Sequence, residues 1–293
     1  MTKITQSILA TVSYSDVFEY PLTREEIWKY YIGVPASYQL FDRELDRLLT
    51  RKKLIAHSNY FVLPNRKHLI GERNERKEVA QQKLPIARKA ARLLAVVPSV
   101  WFVGISGALA MHNAPYDDDI DLFIITAPGT LWFTRMLITV WLDALKWRRR
   151  PDAVVVKDKV CLNMLLSADR LQLPKKQQDL YAAHELAQLV PLVNKKNTYE
   201  QLLAHNQWVR NFLPHCKSFQ IDRNYLQPPA PLLVWIETVC YRWQLWYMRL
   251  RRTRELVNRQ LLQFHPVDAR LWVKEAYVTR LRQLKIPLAQ AMV

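Results

Sequence analysis

The order of apolar and polar residues in the first 65 positions predicts three helices followed by a β-hairpin. Apolar residues recur at helical spacing from Ile4 to Tyr14, and Thr23 with Glu26 three positions later forms a capping box for a second helix. Ser37 precedes a third amphipathic stretch, and two short apolar runs flank the turn Ser58-Asn59. This order is typical of a winged helix, so we predict a winged-helix-like domain over residues 1–65.

The third helix of a winged-helix fold would enter the DNA major groove. In this chain the helix carries a mixed set of charges: Asp42, Glu44 and Asp46 beside Arg43, Arg47, Arg51, Lys52 and Lys53. Such a face suits the phosphate backbone poorly. DNA binding is therefore an alternative, and it is not favoured over a protein-docking or structural role.

The middle of the chain changes between helical and strand-like patterns. A charged, helix-forming connector over 66–95 precedes short apolar runs that predict strands at 99–103, 119–126 and 160–166, with a helix over 130–150. We expect that helix to end at Arg148-Arg149-Arg150, because cations suit a helix C-terminus. A strand, a crossover helix and another strand are typical of a βαβ unit. We predict the α/β (α+β) fold class, with a mixed-sheet domain over residues 96–167.

Residues 168–293 are interpreted as a helical C-terminal domain, with helical stretches over 177–190, 199–212, 232–263 and 267–284. A dense aromatic cluster lies in the third stretch and comprises Trp235, Tyr241, Trp243, Trp246 and Tyr247. We expect these rings to form a core seam between helices. A base-stacking platform is the alternative, because several arginines are close in sequence.

Composition adds size and charge to this picture. The chain has 293 residues, of which 50% are hydrophobic, which is enough for sizeable cores. The net charge of +17 is uneven: 17 basic against 10 acidic residues over 1–98, 12 against 11 over 99–204, and 14 against 5 over 205–293. Basic flanks of this kind attract a nucleic acid, an anionic membrane surface or an acidic partner. A solvated basic surface without a ligand is the alternative.

Cysteine spacing and apolar runs bear on the compartment. The three cysteines are widely spaced and form no C-x-x-C pair, which argues against a zinc site or a disulfide framework. The longest uncharged apolar stretches are short, and the first residues lack the apolar core of a secretion signal. We therefore predict no membrane span and a cytoplasmic location.

Candidate chemistry lies in two features of the predicted mixed-sheet domain. Asp119 and Asp121 project from one face of a strand, while the apolar residues around them point to the other face. Adjacent carboxylates repel each other unless a cation offsets their charge, and Mg²⁺ or Mn²⁺ prefers such oxygen ligands. Upstream, Gly104 and Gly107 suit a chain that turns tightly beside a phosphate. Together these features predict a metal-nucleotide site, and a solvated acidic turn over 117–119 is the alternative.

The segment Gly104–Leu122 resembles the signature of the polymerase β-type nucleotidyltransferase superfamily, in which a Gly-Ser or Gly-Gly turn precedes Asp-x-Asp on the next strand. The resemblance implies that Asp119 and Asp121 are the catalytic, metal-binding pair. It also implies a phosphate-binding turn formed by Gly104, Ser106, Gly107 and Ala108. Ala108 departs from the pattern because many members have serine there, and Ser106 is the nearest substitute hydroxyl.

Members of this superfamily place a third acidic residue on a later neighbouring strand, and the strand predicted over 160–166 carries none. Asn163 stands at the expected position, where its amide oxygen can ligate Mg²⁺ without adding charge. Asp158, just before that strand, is a second candidate. A turn residue between Lys157 and Lys159 is the alternative interpretation of Asp158.

The leading hypothesis is a metal-dependent nucleotidyltransferase that moves a nucleoside monophosphate from a nucleoside triphosphate to an acceptor. The acceptor is left open between a nucleic acid and a protein, as are the base and the oligomeric state. The missing third carboxylate and Ala108 motivate a second hypothesis, a catalytically impaired triphosphate-binding sensor or scaffold. A DNA-binding regulator that acts through the winged helix is the third.

Overall fold

The computed structural model describes residues 1–150, 153–220, 231–248, 256–263 and 269–291. The chain is mixed α/β, as predicted. A six-stranded mixed sheet carries helices on both faces, and a separate three-stranded antiparallel sheet lies near the N-terminus.

The first 65 residues follow the predicted order of elements. They form α1 (Lys3–Asp16), β1 (Leu22–Thr23), α2 (Arg24–Lys29), α3 (Tyr38–Thr50), β2 (Ile55–His57) and β3 (Tyr60–Val62). The capping box is confirmed, because Thr23 and Glu26 exchange side-chain-to-amide hydrogen bonds. The acids of α3 have partners within the protein: Asp42 and Asp46 pair with Arg24, and the buried Glu44 pairs with Arg47.

The central part of the chain builds the large sheet. It comprises α4 (Leu69–Ala95), β4 (Val100–Ile105), α5 (Gly107–Ala110), β5 (Ile120–Thr126), α6 (Leu131–Ala144) and β6 (Val160–Ser167). Strands β5 and β6 are parallel, and β4 is antiparallel to β5. The predicted connector helix and the three predicted strands are therefore confirmed, with shifts of a few residues at their ends.

The remaining elements are α7 (Leu180–Gln188), β7 (Val190–Asn194), α8 (Thr198–His205), α9 (Val209–Phe212), α10 (Pro231–Met248), β8 (Leu256–Val257), β9 (Leu261–Gln263) and α11 (Ala269–Gln283), with short 3-10 turns at Lys175–Gln177 and Leu288–Ala291. The purely helical interpretation of residues 168–293 is wrong, because β7, β8 and β9 complete the sheet order β7-β4-β5-β6-β9-β8. The helical stretch stops at Gln188, where Leu189 takes extended dihedrals. Pro191 then fits β7 because this strand lies at the sheet edge.

The helix after β5 is also shorter than predicted. It ends at Ala144, and Lys146 adopts a left-handed φ of 57°. The chain then runs beside the start of β6, where Arg148 bridges Val160 and the Arg149 amide donates to the Val160 carbonyl at 2.9 Å. The three arginines therefore lie along a strand rather than at a helix C-terminus. Hydrogen bonding at the edge of β6 holds them there.

Both faces of the sheet are buried. On one face, alternate residues of β5 pack with α4, α6 and α10; these residues are Ile120, Leu122 and Ile124. On the other face, Phe123 and Ile125 pack in a cluster that also contains residues of α1, α7 and α11. Within that cluster the buried Asp16 of α1 accepts hydrogen bonds from Arg66 Nε at 2.9 Å and from Arg280 Nε of α11 at 2.6 Å. The first and last long helices described are thus joined by a partly buried ion pair.

Candidate metal and nucleotide site

The acid pair lies where β5 begins. Asp119 is 6% exposed and directly precedes the strand. Asp121, two residues later, is half-buried. Ile120 and Leu122 are fully buried on the opposite face, so the predicted alternation is confirmed. In the parallel pairing of β5 with β6, Asp121 stands beside Cys161. One oxygen from each carboxylate and the Cys161 Sγ all lie within 4.8 Å of one another.

The glycine turn lies directly against this pair. Gly107 has φ of +63°, which favours glycine, and a Cβ built on it would be 2.7 Å from Asp121 Oδ2. The amide of Ser106 donates to the Asp121 backbone carbonyl at 3.0 Å, which fixes the turn to the strand. The two features that the sequence separates by a spacer are therefore adjacent in space.

The other two residues of the predicted turn differ from each other. Gly104 lies inside β4, between β5 and β7, and a Cβ there would be 2.7 Å from the Phe102 ring. Its missing side chain thus makes room for an aromatic ring in the core. Ala108 belongs to α5, the single helical turn that starts at Gly107, and is half-buried. Ser106 and Gly107 are the residues of the predicted turn that contact Asp121.

The third strand presents Cys161 to the pair, in place of the expected Asn163. A register shift follows Leu122, which pairs with Leu162, whereas Phe123 pairs with Met164. Asn163 is the extra residue at this irregularity, and its buried amide donates to Ser106 Oγ at 3.2 Å. A bulge of this kind changes which side chain faces a neighbour, and periodicity alone does not reveal it.

Asp158 behaves as the turn residue of the alternative interpretation. It has φ of +60°, and its amide donates to the Asp118 carbonyl at 3.2 Å. Its Oδ1 accepts from Lys83 Nζ at 2.8 Å, and Lys83 also donates to the Asp118 carbonyl at 2.8 Å. Lys83 is buried in α4 and holds the acidic loop in place. No sequence signal marks this lysine, because the pattern of α4 is rich in charges throughout.

Arg149 is a further residue that sequence reasoning misses. Its Nη1 donates to Asp119 Oδ2 at 2.8 Å, and its position follows from the strand-like pairing of its backbone with Val160. The guanidinium offsets part of the charge on the pair. The sequence predicts a helix that ends at this arginine, whereas the helix ends at Ala144. Because of this boundary error, the sequence offers no reason to place Arg149 at the site.

Burial sets the protonation of the cluster. Burial, and then the charge of Asp119, raise the pKa of Asp121 to about 7, while the Cys161 thiol donates a hydrogen bond that opposes the rise. Burial and the neighbouring Asp121 raise the pKa of the Cys161 thiol well above its usual range. Near neutral pH the thiol is therefore protonated and Asp121 is partly so. A cation would favour the ionised carboxylate.

The donor set fits one divalent cation. Two carboxylates suit Mg²⁺ or Mn²⁺, and a thiol is a softer ligand that favours later transition metals. Arg149 competes with a metal for Asp119 Oδ2, because the same oxygen accepts its hydrogen bond. Asp119 and Asp121 would hold the ion, and the protonated Cys161 thiol beside them would add no charged ligand.

A small cavity adjoins the turn between β6, α7 and α11. Its polar lining includes Ser106, Asn163, Gln177, Tyr181, Glu185 and Arg270. Burial raises the pKa of Glu185 to about 7, and the charge of Arg270 opposes that rise. The charge of Glu185 also contributes to the raised pKa of Asp121, so α7 brings another acid towards the pair. The sequence shows this glutamate only as part of an ordinary helical stretch.

Comparisons with protein-family models, with curated proteins and with solved structures find no match for this chain. Over the described residues, every helix is too short or too polar to cross a bilayer.

Proposed function

We propose that this protein is a divalent-metal-dependent nucleotidyltransferase, which moves a nucleoside monophosphate from a nucleoside triphosphate to an acceptor. The observation that supports this most directly is the contact between the left-handed Gly107 and the Asp121 carboxylate. The missing side chain makes room for the Asp121 carboxylate, and the bare backbone of such a turn can present its N–H groups to a phosphate beside that acid. An ordinary solvated acidic turn does not require this contact.

Each residue of the cluster has a separate role in the proposed reaction. Asp119 and Asp121 would hold Mg²⁺ or Mn²⁺, and the cation would supply charge neutralisation for the triphosphate. Ser106 offers the hydroxyl that Ala108 lacks, and the Asn163 amide orients it. An acceptor oxygen forms a bond to the α-phosphorus while the bond to pyrophosphate breaks. Positioning and electrostatics are the main sources of catalysis in such a transfer.

A second candidate function is triphosphate binding without turnover. Two observations favour it: the third position holds Cys161, whose raised pKa keeps it neutral, and Arg149 occupies an oxygen of Asp119. A cation at this site therefore receives less negative charge than three carboxylates would provide. The protein would then report on a nucleotide or serve as a scaffold.

The site is tested by the double variant Asp119→Asn/Asp121→Asn, in which each change removes charge at nearly constant volume. We expect metal-dependent affinity for labelled triphosphates to fall by about 100-fold or more, because the charged ligands of the ion are lost. Equilibrium binding with and without Mg²⁺ or Mn²⁺ measures this, and thermal unfolding reports on the fold. Unchanged affinity in a folded double variant would rule out the proposed site.

The matched control is Asp42→Asn/Asp46→Asn, which removes two acids from α3 that pair with Arg24. The change in net charge is the same, so we expect nucleotide affinity to stay within about two-fold of the parent. A comparable loss in this control would assign the effect to overall charge rather than to the site.

Pyrophosphate release separates the two candidate functions. Release with any of the four bases and a suitable acceptor supports the transferase, whereas tight binding without release across bases and acceptors supports the sensor. Cys161→Asp supplies the missing carboxylate beside Asp121. In an impaired enzyme we expect this change to raise pyrophosphate release, while Cys161→Ser should leave it unchanged.

A further inference from the structure

Helix α10 buries two polar side chains together with part of its apolar surface. The Glu237 carboxylate accepts the amides of Trp132 and Phe133 at 2.8 Å each. Gln244 Nε2 donates to the Trp132 carbonyl at 2.7 Å and is buried. These bonds anchor α10 to the first turn of α6 and leave the opposite side of α10 facing outward.

That outward side consists of large apolar residues. The exposed fractions of Trp235, Trp243 and Trp246 are 65%, 54% and 69%. With Leu232 and Val239, they recur at intervals of three and four residues, which places all five on one stripe. The expected core seam is therefore wrong for these three tryptophans, because α10 packs through its opposite side, where Cys240, Gln244 and Met248 are buried.

The neighbouring helix also exposes apolar residues: α6, on which α10 packs, exposes Leu137 and Val140. An exposed apolar stripe with several tryptophans is unusual on a protein that stays fully in water, and it marks an interaction site. The patch mixes aromatic with aliphatic side chains, as a surface that inserts among lipid chains does.

Charge indicates which partner covers this surface. Arg242 is exposed on α10 beside the stripe, and residues 205–293 contain 14 basic and 5 acidic residues. A second copy of the chain would bring the same basic surfaces together, which is repulsive. Nucleic-acid bases would stack on the tryptophans, but Leu137, Val140 and Val239 offer no ring for stacking. Tryptophan, aliphatic groups and arginine together match the interface of an anionic bilayer.

We propose that the outer face of α10, extended by Leu137 and Val140 of α6, binds the surface of an anionic lipid bilayer. The tryptophan rings lie among the headgroups and upper acyl chains, and Arg242 contacts the anionic headgroups. The inward bonds of Glu237 and Gln244 keep the helix seated on α6 during binding. This proposal is independent of the nucleotide site, because it uses none of its residues.

The test measures co-sedimentation of the full chain with vesicles of phosphatidylcholine alone or mixed equally with phosphatidylglycerol. We expect binding to the anionic vesicles that weakens as salt rises, and at least about ten-fold weaker binding to the neutral ones. Tryptophan fluorescence should be quenched by vesicles that contain brominated acyl chains. No binding to anionic vesicles, or binding without quenching, would overturn the proposal.

The variant Trp235→Gln/Trp243→Gln/Trp246→Gln should lower the partition coefficient by about ten-fold or more, because three apolar anchors are lost. The control Tyr38→Gln/Leu40→Gln removes exposed apolar groups from α3 and should bind as the parent does. Arg242→Glu should weaken binding to anionic vesicles only, which tests the surface even where the triple variant unfolds. Equal vesicle binding by a folded triple variant contradicts the proposal. So does a triple variant that loses only self-association in sedimentation velocity, or only binding to a single-stranded oligonucleotide.

Discussion

Glu26, near the small N-terminal sheet, and Asp121, at the start of β5, are two carboxyl groups in contrasting surroundings. Burial raises the pKa of each to about 7. Glu26 accepts hydrogen bonds from the Tyr20 hydroxyl at 2.7 Å, the Arg73 guanidinium at 2.8 Å and the Thr23 amide at 2.9 Å. Asp121 has a second acid beside it, and among the described residues its hydrogen-bond partner is the Cys161 thiol.

A raised pKa shows that a carboxyl group is buried. The number of hydrogen-bond donors around the group indicates whether it serves the fold or is available to bind a ligand. Glu26 has its oxygens filled by three donors, so it acts as a fixed part of the fold. Asp121 keeps lone pairs that a cation can use, and a neighbouring acid makes that cation more favourable. Buried acids with few donors and a like-charged neighbour are therefore better candidates for a site.

The largest effect on stability is expected from Arg73→Met, which removes the cation from the saturated carboxylate. Arg73 is buried, and its guanidinium also lies 3.5 Å from the centre of the Tyr20 ring. The free energy of unfolding at pH 8 should fall by about 3 kcal/mol, because the partly buried Glu26 carboxylate loses its cation and keeps two neutral donors. Denaturant unfolding measures this change.

Arg76→Met is the matched control for that variant. Arg76 lies one turn further along α4 and pairs with Glu19 and Glu72 at the surface. Exposed pairs contribute little, so this change should cost less than about 1 kcal/mol. Similar losses in both variants would contradict the distinction between the filled carboxylate and an ordinary ion pair.

An intermediate effect is expected from Gly107→Ala, which tests the turn beside Asp121. A side chain there meets Asp121 Oδ2 and is strained by the positive φ, so stability should fall by about 1–3 kcal/mol. Nucleotide affinity should fall with it. Gly71→Ala is the control, because a Cβ in that part of α4 meets open space and should stabilise the helix by about 0.5–1 kcal/mol. Loss of stability at Gly71 alone would show that the turn is not the sensitive position.

The smallest effect is the pH dependence of the two carboxyl groups themselves. An acid whose folded pKa is raised to about 7 favours folding below its unfolded pKa, and that contribution is lost as pH rises from about 4 to 7. Without metal, Asp121→Asn should therefore raise the free energy of unfolding at pH 8 by about 1 kcal/mol after discounting for solvent, and change it little at pH 4. Unfolding in EDTA at both pH values measures this. Glu26→Gln should likewise remove the loss of stability between pH 4 and pH 8, because burial also raises the pKa of Glu26 to about 7.

Local signals predict the fold better than they predict the site. The Thr23 capping box and the apolar alternation of β5 are local patterns, and the structure confirms both. Strands of two to five residues, such as β7, carry too little pattern to separate from a neighbouring helix end. Arg149 and Glu185 reach the site through tertiary packing, and the irregular register of β6 decides between Cys161 and Asn163. None of these depends on spacing along the chain.

The ion pair between Asp16 and Arg280 joins residues 264 positions apart. During synthesis on the ribosome, α1 emerges long before α11 has been made. Until then Asp16 lacks its Arg280 partner, and Tyr14 lacks the contact with Tyr277, whose ring centre lies 5.2 Å away in the folded protein. The N-terminal segment therefore completes its packing only after α11 has been made. A nascent chain arrested before residue 269 should expose this surface to proteases or chaperones, although all of its own local elements have been made.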